Sequence, residues 1–146
     1  MPIVFAGAAS HAPGMTAWTE AAPKEQSENI LGSYRQLGER LAATKPDTIV
    51  LFTVEHWANF FLNSMPTFCI GRADHYDGPI EEWLRIPKAR VPGDAKLATE
   101  LIGACLDSGF DPLFSDELLF DHATFLPLHF LNANMALPVV PVIFNG

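Results

Sequence analysis

Cysteine is scarce in this chain: two residues in 146, Cys69 and Cys105, both in apolar surroundings and without the paired spacing of a redox or zinc motif. That excludes a disulfide framework or a thiolate metal cluster. It predicts two buried, reduced thiols in a cytoplasmic protein. Positive charge is short as well. Nine Lys and Arg stand against 17 Asp and Glu, for a net charge of −8 at pH 7. Phosphate neutralisation needs clustered cations, so nucleic acid and anionic membrane surfaces are poor partners. No run approaches the ~20 consecutive apolar residues of a membrane span, and Met1 to His11 lacks the basic start of a signal peptide. What the chain does have is apolar bulk: 49% hydrophobic residues, eleven Phe and three Trp. Disorder is excluded, and the length suits about one domain.

The apolar residues fall in alternating patterns. Residues 2–8 and 48–54 read as buried strands, the second rich in β-branched side chains and apolar enough to be covered on both faces. Between them Ile30, Tyr34, Leu37 and Leu41 recur at four, three and four residues, which predicts an amphipathic helix over 27–43 with Ser27 as its N-cap. A third strand is expected at 65–71, and the proline-bearing stretch 72–92 reads as loop. A helix follows at 94–108, stopped by Gly109, then a short strand at 111–115, an apolar helix over 121–131, and a strand at 138–144. The expected fold is α/β, a layered sheet flanked by helices on both faces. The final strand is apolar enough to be interior. Residues 1–146 are therefore expected to be the N-terminal portion of a larger single domain, with the 139–144 strand needing cover from elsewhere.

Of five histidines, His11 and His56 each directly follow a predicted strand. Ligands of open α/β sheets sit beyond the carboxyl ends of the strands, so two such imidazoles can share one metal. The local carboxylate candidates are Glu55, Asp121 and Asp47, and spacing alone does not place a third ligand among them. Glu55 adjoins His56 and Asp121 adjoins His122, and neighbours in extended chain point to opposite faces. His75 lies in a polar stretch and is expected to face solvent, and His129 reads as structural. Trp57, Phe60 and Phe61 beside His56 suit either the wall of an aromatic pocket or ordinary core.

Five segments occur together in one order: Ser10-His11-Ala12-Pro13; Pro46-Asp47-Thr48-Ile49-Val50-Leu51-Phe52 leading to Glu55-His56; Met65-Pro66-Thr67-Phe68-Cys69-Ile70-Gly71; Asp121-His122-Ala123 with Pro127-Leu128; and Pro138-Val139-Val140-Pro141-Val142. Together they closely resemble the N-terminal half of class III extradiol ring-cleavage dioxygenases, the protocatechuate 4,5-dioxygenase type, with the nearest likeness to the catecholic phenylpropionate 2,3-dioxygenase branch. The resemblance implies a non-haem Fe(II) enzyme that opens the ring of a small aromatic diol with O₂. It implies His11 and His56 as iron ligands and His122 as an active-site histidine close to substrate. Ala123 stands where the family usually has glycine, and Glu55 where it usually has aspartate. The family's glutamate ligand and acid–base histidine belong to its C-terminal half and match no residue here. The rest of the site is then expected from further sequence, from a homo-oligomer or from a partner chain. Two rival readings share these residues: a metal-free binding or assembly subunit of the same fold, and a zinc hydrolase. Metal content separates all three.

Overall fold

A computed structural model describes residues 2–145. It is an α/β protein whose main sheet has four strands, β1 (Ile49–Val54), β2 (Phe68–Gly71), β5 (Leu113–Ser115) and β6 (Val139–Phe144), in the order β1-β6-β2-β5. β1 runs parallel to β6, in register from Ile49 opposite Val139 to Val54 opposite Phe144, and β2 runs antiparallel to β6 and parallel to β5. A separate antiparallel pair joins β3 (His75–Gly78) to β4 (Ala89–Pro92).

Strand side chains alternate between two cores, as the two-residue period requires. On one face Val139 and Ile143 of β6 and Cys69 of β2 pack with Phe125 and Leu128 of helix α4 (His122–Leu131). On the other, Val140, Val142 and Ile70 meet Ala98 and Ile102 of helix α3 (Ala95–Asp107). Helices thus cover both faces. Each fully buried aliphatic side chain, Val139 and Val140 among them, contributes roughly 1.5–3 kcal/mol of transfer free energy. A short helix α1 (Gly14–Ala17) precedes the long helix α2 (Lys24–Ala43), and α2 packs on α4 with the Tyr34 and Phe130 rings 5.0 Å apart. Gly38 lets the two helices approach closely: a Cβ there would stand 3.3 Å from the Phe130 carbonyl oxygen.

Several boundaries differ from the sequence expectation. Residues 2–8 form no strand; Ile3 is 89% exposed and the segment hydrogen-bonds to no sheet edge among the described residues. Helix α2 starts at Lys24 behind Pro23, without a side-chain cap, so Ser27 lies inside it. Asp94 does cap α3, accepting the Leu97 N–H at 2.9 Å, and Gly109 closes it at φ 84°. The stretch 72–92 is not simple loop. It holds β3, β4 and a 3₁₀ turn over Glu82–Leu84, with Tyr76 and Val91 buried and Arg90 paired through two hydrogen bonds to Asp77. Strand β6 is interior with neighbours on both edges, and its residues Val139 to Ile143 are buried by this chain alone. Cys69 is buried, but Cys105 is only half-buried. Burial pushes the Cys69 thiol up to about 12. No helix among the described residues is long and apolar enough to cross a membrane.

Candidate metal and active site

Three histidines from distant parts of the chain meet beyond the end of β1. The ring centroids of His11 and His56 are 5.4 Å apart, those of His11 and His122 6.0 Å, and those of His56 and His122 4.3 Å, the last pair stacked at 21°. Each arrives by a different local device.

His11 does not leave a strand, because none precedes it. Its segment is anchored instead by the buried Tyr34 of α2, whose hydroxyl donates to the Ser10 carbonyl, and by the Ser10 hydroxyl, which accepts the Ala12 N–H at 3.2 Å. His11 is half-buried. Burial, together with the neighbouring His56 and His122, lowers its pKa below 6.5, while Asp121 partly opposes the shift. That keeps the imidazole neutral, the form that ligates a metal.

His56 is placed by a sharp turn at the end of β1. Buried Glu55 accepts the N–H groups of Ala58 and Asn59, both at 2.7 Å. Trp57 takes a left-handed φ of 61°. The side chain of Asn59 then clamps Leu119 through two hydrogen bonds, 2.8 and 3.0 Å, fixing this turn against the segment before α4.

That segment ends in Asp121, the N-cap of α4. One carboxylate oxygen accepts from Ala123 and Thr124; the other accepts from the His56 backbone N–H at 2.7 Å and from its Nδ1 at 3.1 Å. Adjacency to His122 therefore does not remove Asp121 from the site, contrary to the extended-chain expectation: at the helix start its backbone is extended while His122 is already helical. His56, Asp121 and His122 offer ligand-type atoms within 4.8 Å of one another. Asp121 is fully engaged, however. Its geometry is that of a carboxylate behind a histidine, fixing the ring by Nδ1.

His122, the first residue of α4, is buried. A residue the sequence did not single out holds it: Glu81, whose Oε1 accepts the His122 backbone N–H at 3.1 Å and its Nδ1 at 2.7 Å. From the same loop Trp83 lies 5.7 Å from the His122 ring and stacks on Trp18 at 5.4 Å. These two exposed tryptophans carried no signal beyond composition. Of the aromatic segment after His56, Phe60 joins the core while Trp57 and Phe61 are exposed. His75 faces solvent, and His129 is half-buried in the last turn of α4.

An α/β layered sheet with imidazoles and carboxylates gathered beyond one strand end has them where open α/β sheets hold their ligands. The chain is more specifically placed: over residues 6–146 it matches the family described as the catalytic LigB subunit of aromatic ring-opening dioxygenase, and it belongs to that family. Among curated relatives, a 2,3-dihydroxyphenylpropionate/2,3-dihydroxicinnamic acid 1,2-dioxygenase of Mycolicibacterium vanbaalenii is 35% identical over 131 residues, which cover 84% of this chain and 38% of the relative. Enzymes of the same description from Klebsiella pneumoniae and Escherichia coli are 32% and 31% identical over 82% and 94% of this chain. The chain spans about two fifths of the length of these relatives, 38%, 37% and 42% respectively.

Proposed function

We propose that this chain carries the N-terminal part of an extradiol dioxygenase site, which opens the ring of a catechol with O₂ on an Fe(II) centre. The observation behind the reading is the convergence of His11, His56 and His122, with a carboxylate on Nδ1 of two of them. The donor set fits the metal. Neutral imidazoles suit iron, and two of them with a carboxylate form a ligand set that leaves positions for substrate and O₂. His11 and His56 would hold the ion. Bound Fe(II) supplies a chelation point for the two adjacent oxygens of the diol and the electron transfer that activates O₂. The relatives' names make a catechol with a three-carbon acid chain the first substrate to test.

This chain's own residues divide the remaining work. Asp121 holds the His56 ring by Nδ1 and so leaves Nε2 for the metal. His122 takes a proton from a substrate hydroxyl at its free nitrogen, a contribution worth about 10²–10⁴-fold in such reactions. Trp83 lies beside His122, backed by the stacked Trp18, and offers an apolar face to an aromatic ring laid against the histidine. The carboxylate ligand is a separate matter. Among the described residues the acidic groups near the histidines are already engaged, Glu55 by backbone N–H groups, Asp121 by His56 and the α4 cap, and Glu81 by His122. We read the missing carboxylate as coming from further sequence of a larger domain or from a partner chain.

The test is anaerobic Fe(II) titration followed by O₂ uptake with a substituted catechol. His11→Ala and His56→Ala should each weaken Fe(II) binding by more than the ~10–100-fold typical of losing an outer partner. His122→Ala should leave binding intact and abolish uptake. Stoichiometric zinc with hydrolase activity, or no metal affinity at all, would replace this reading with the hydrolase or the binding subunit.

A further inference from the structure

We propose that Glu81 is the positioning residue of this site: it holds His122 with its proton on Nδ1, so that Nε2 is the nitrogen presented to substrate. The inference rests on the role given to His122 above. Glu81 lies 41 residues away in sequence, on the turn after β3, yet one of its oxygens bonds both the backbone N–H and Nδ1 of His122, at 3.1 and 2.7 Å. Pinning main chain and ring through one atom leaves that imidazole a single orientation. The loop itself is fixed from the other side, since Ile80 donates to the Phe120 carbonyl at 3.0 Å and Phe120 donates to the Asp77 carbonyl at 3.1 Å.

The same arrangement occurs twice in this site. Asp121 Oδ2 bonds the backbone N–H and Nδ1 of His56, from 65 residues away, in the same two-contact pattern. The two rings so held lie stacked 4.3 Å apart. A purely structural explanation of Glu81 accounts for the backbone contact, which satisfies one unpaired donor of the α4 start. It does not account for the contact to the ring, nor for Glu81 Oε2, which is buried and meets no hydrogen-bonding protein atom among the described residues. An unpaired buried carboxylate oxygen costs free energy, and a group kept at that cost beside a histidine is spent on the histidine. Neutral imidazole in water favours the proton on Nε2. A carboxylate on Nδ1 reverses that preference and leaves the Nε2 lone pair free, as in other carboxylate–histidine pairs.

The experiment reads the tautomer directly, in the metal-free ¹⁵N-labelled protein, by long-range ¹H–¹⁵N correlation, with His122 assigned from His122→Gln. The wild-type protein should show His122 with its proton on Nδ1. Glu81→Leu should move it to Nε2, while His56, held by Asp121, keeps Nδ1–H and reports that the fold is intact. Glu81→Gln, which retains an acceptor oxygen, should restore the wild-type tautomer. In iron-loaded protein Glu81→Leu should lower kcat by about 10- to 100-fold with KM unchanged, and Glu81→Gln should recover most of it. Finding His122 with its proton on Nε2 in the wild type, or on Nδ1 in Glu81→Leu, overturns the assignment, as does a change confined to KM. The tautomer measurement needs no turnover. Inactivity that persists once the missing carboxylate is supplied would count against the dioxygenase reading, while the tautomers of His122 would still decide the role of Glu81.

Discussion

His129 sits in the last turn of α4, edge-on to Phe130, and burial lowers its pKa below 6.5. Its folded value lies under the unfolded one, so the unfolded chain binds more protons as pH falls through that range. The stability His129 contributes as a neutral group is present above the unfolded pKa and is lost as pH drops through 6.5 toward the folded value. His11 shifts the same way. Urea midpoints should therefore fall between about pH 7.5 and pH 5.5, a window above the carboxylate range, and His129→Gln should flatten that slope in part. An unchanged slope in the variant would remove His129 from the account. Residues of this kind differ in how far the sequence exposes them. His11, His56 and His122 stand out because each is a lone imidazole in a short motif at an element boundary. Glu81 does not: its partner is 41 residues away, and its reach depends on the pose of a turn with no periodic signal. Asp121 is visible in the sequence as a residue but not as a bridge, because its extended backbone at a helix start lets it face His56 while it caps α4.

At the scale of elements, α4 shows how one residue's missing donor joins two layers. Pro127 lies inside the helix and has no N–H for the Ala123 carbonyl. The Thr53 hydroxyl of β1 reaches that carbonyl at 3.2 Å instead, tying the helix that carries His122 to the strand that leads to His56. Glycine positions separate in the same physical terms. Gly93 follows β4, donates to the Asp74 carbonyl at 2.8 Å, and bridges to Val139; a Cβ there would run into the backbone of Ala73. Gly93→Ala should destabilise by about 1–3 kcal/mol, the cost of overpacking. Gly103 in α3 has open space around it, so Gly103→Ala should stabilise by ~0.5–1 kcal/mol through lower unfolded-state entropy and better helix propensity. Urea unfolding of the two variants checks both signs. The long elements are readable for related reasons: α2, α3, β1 and β6 each carry several apolar residues at one period. β3 and β4 are four residues each, too short for a pattern to outweigh the prolines and charges around them. Residues 2–8 fail oppositely. Apolar composition expresses a preference for burial, but a strand also needs an edge to pair with. This segment stays largely exposed and comes near α2 at Gly7, where a Cβ would stand 3.4 Å from Leu37.

Seen as a whole, the molecule covers its sheet unevenly. Helix α3 packs on β2 and β6 and leaves the same face of β1 open, so Val50 and Phe52 are 41% and 67% exposed. Phe144, at the end of β6, stacks on Phe52 with ring centroids 6.1 Å apart and lies 6.0 Å from Phe68, which extends the apolar surface across three strands. The sequence pattern makes the 139–144 strand interior, as it is, but expects its cover to come from elsewhere and its edge to lie open in this chain, whereas β6 is paired on both sides and β1 is an open edge. The error has a simple origin. Hydrophobic content tells how much cover a strand needs but not which strands stand beside it, and β1 and β6 are almost equally apolar. A contiguous apolar patch at a free strand edge, on a chain with net charge −8, is held apart from other copies only by weak long-range repulsion, which salt screens. The protein is therefore expected to self-associate as concentration rises, and more readily in added salt. Light scattering coupled to size exclusion should show the shift. Phe52→Lys, which places a charge in the middle of the patch, should return the chain to the monomer without lowering its unfolding free energy by more than the ~0.5 kcal/mol usual for a surface substitution. A wild-type chain that stays monomeric in high salt would show that Phe52 and Phe144 cover each other well enough to leave no adhesive surface.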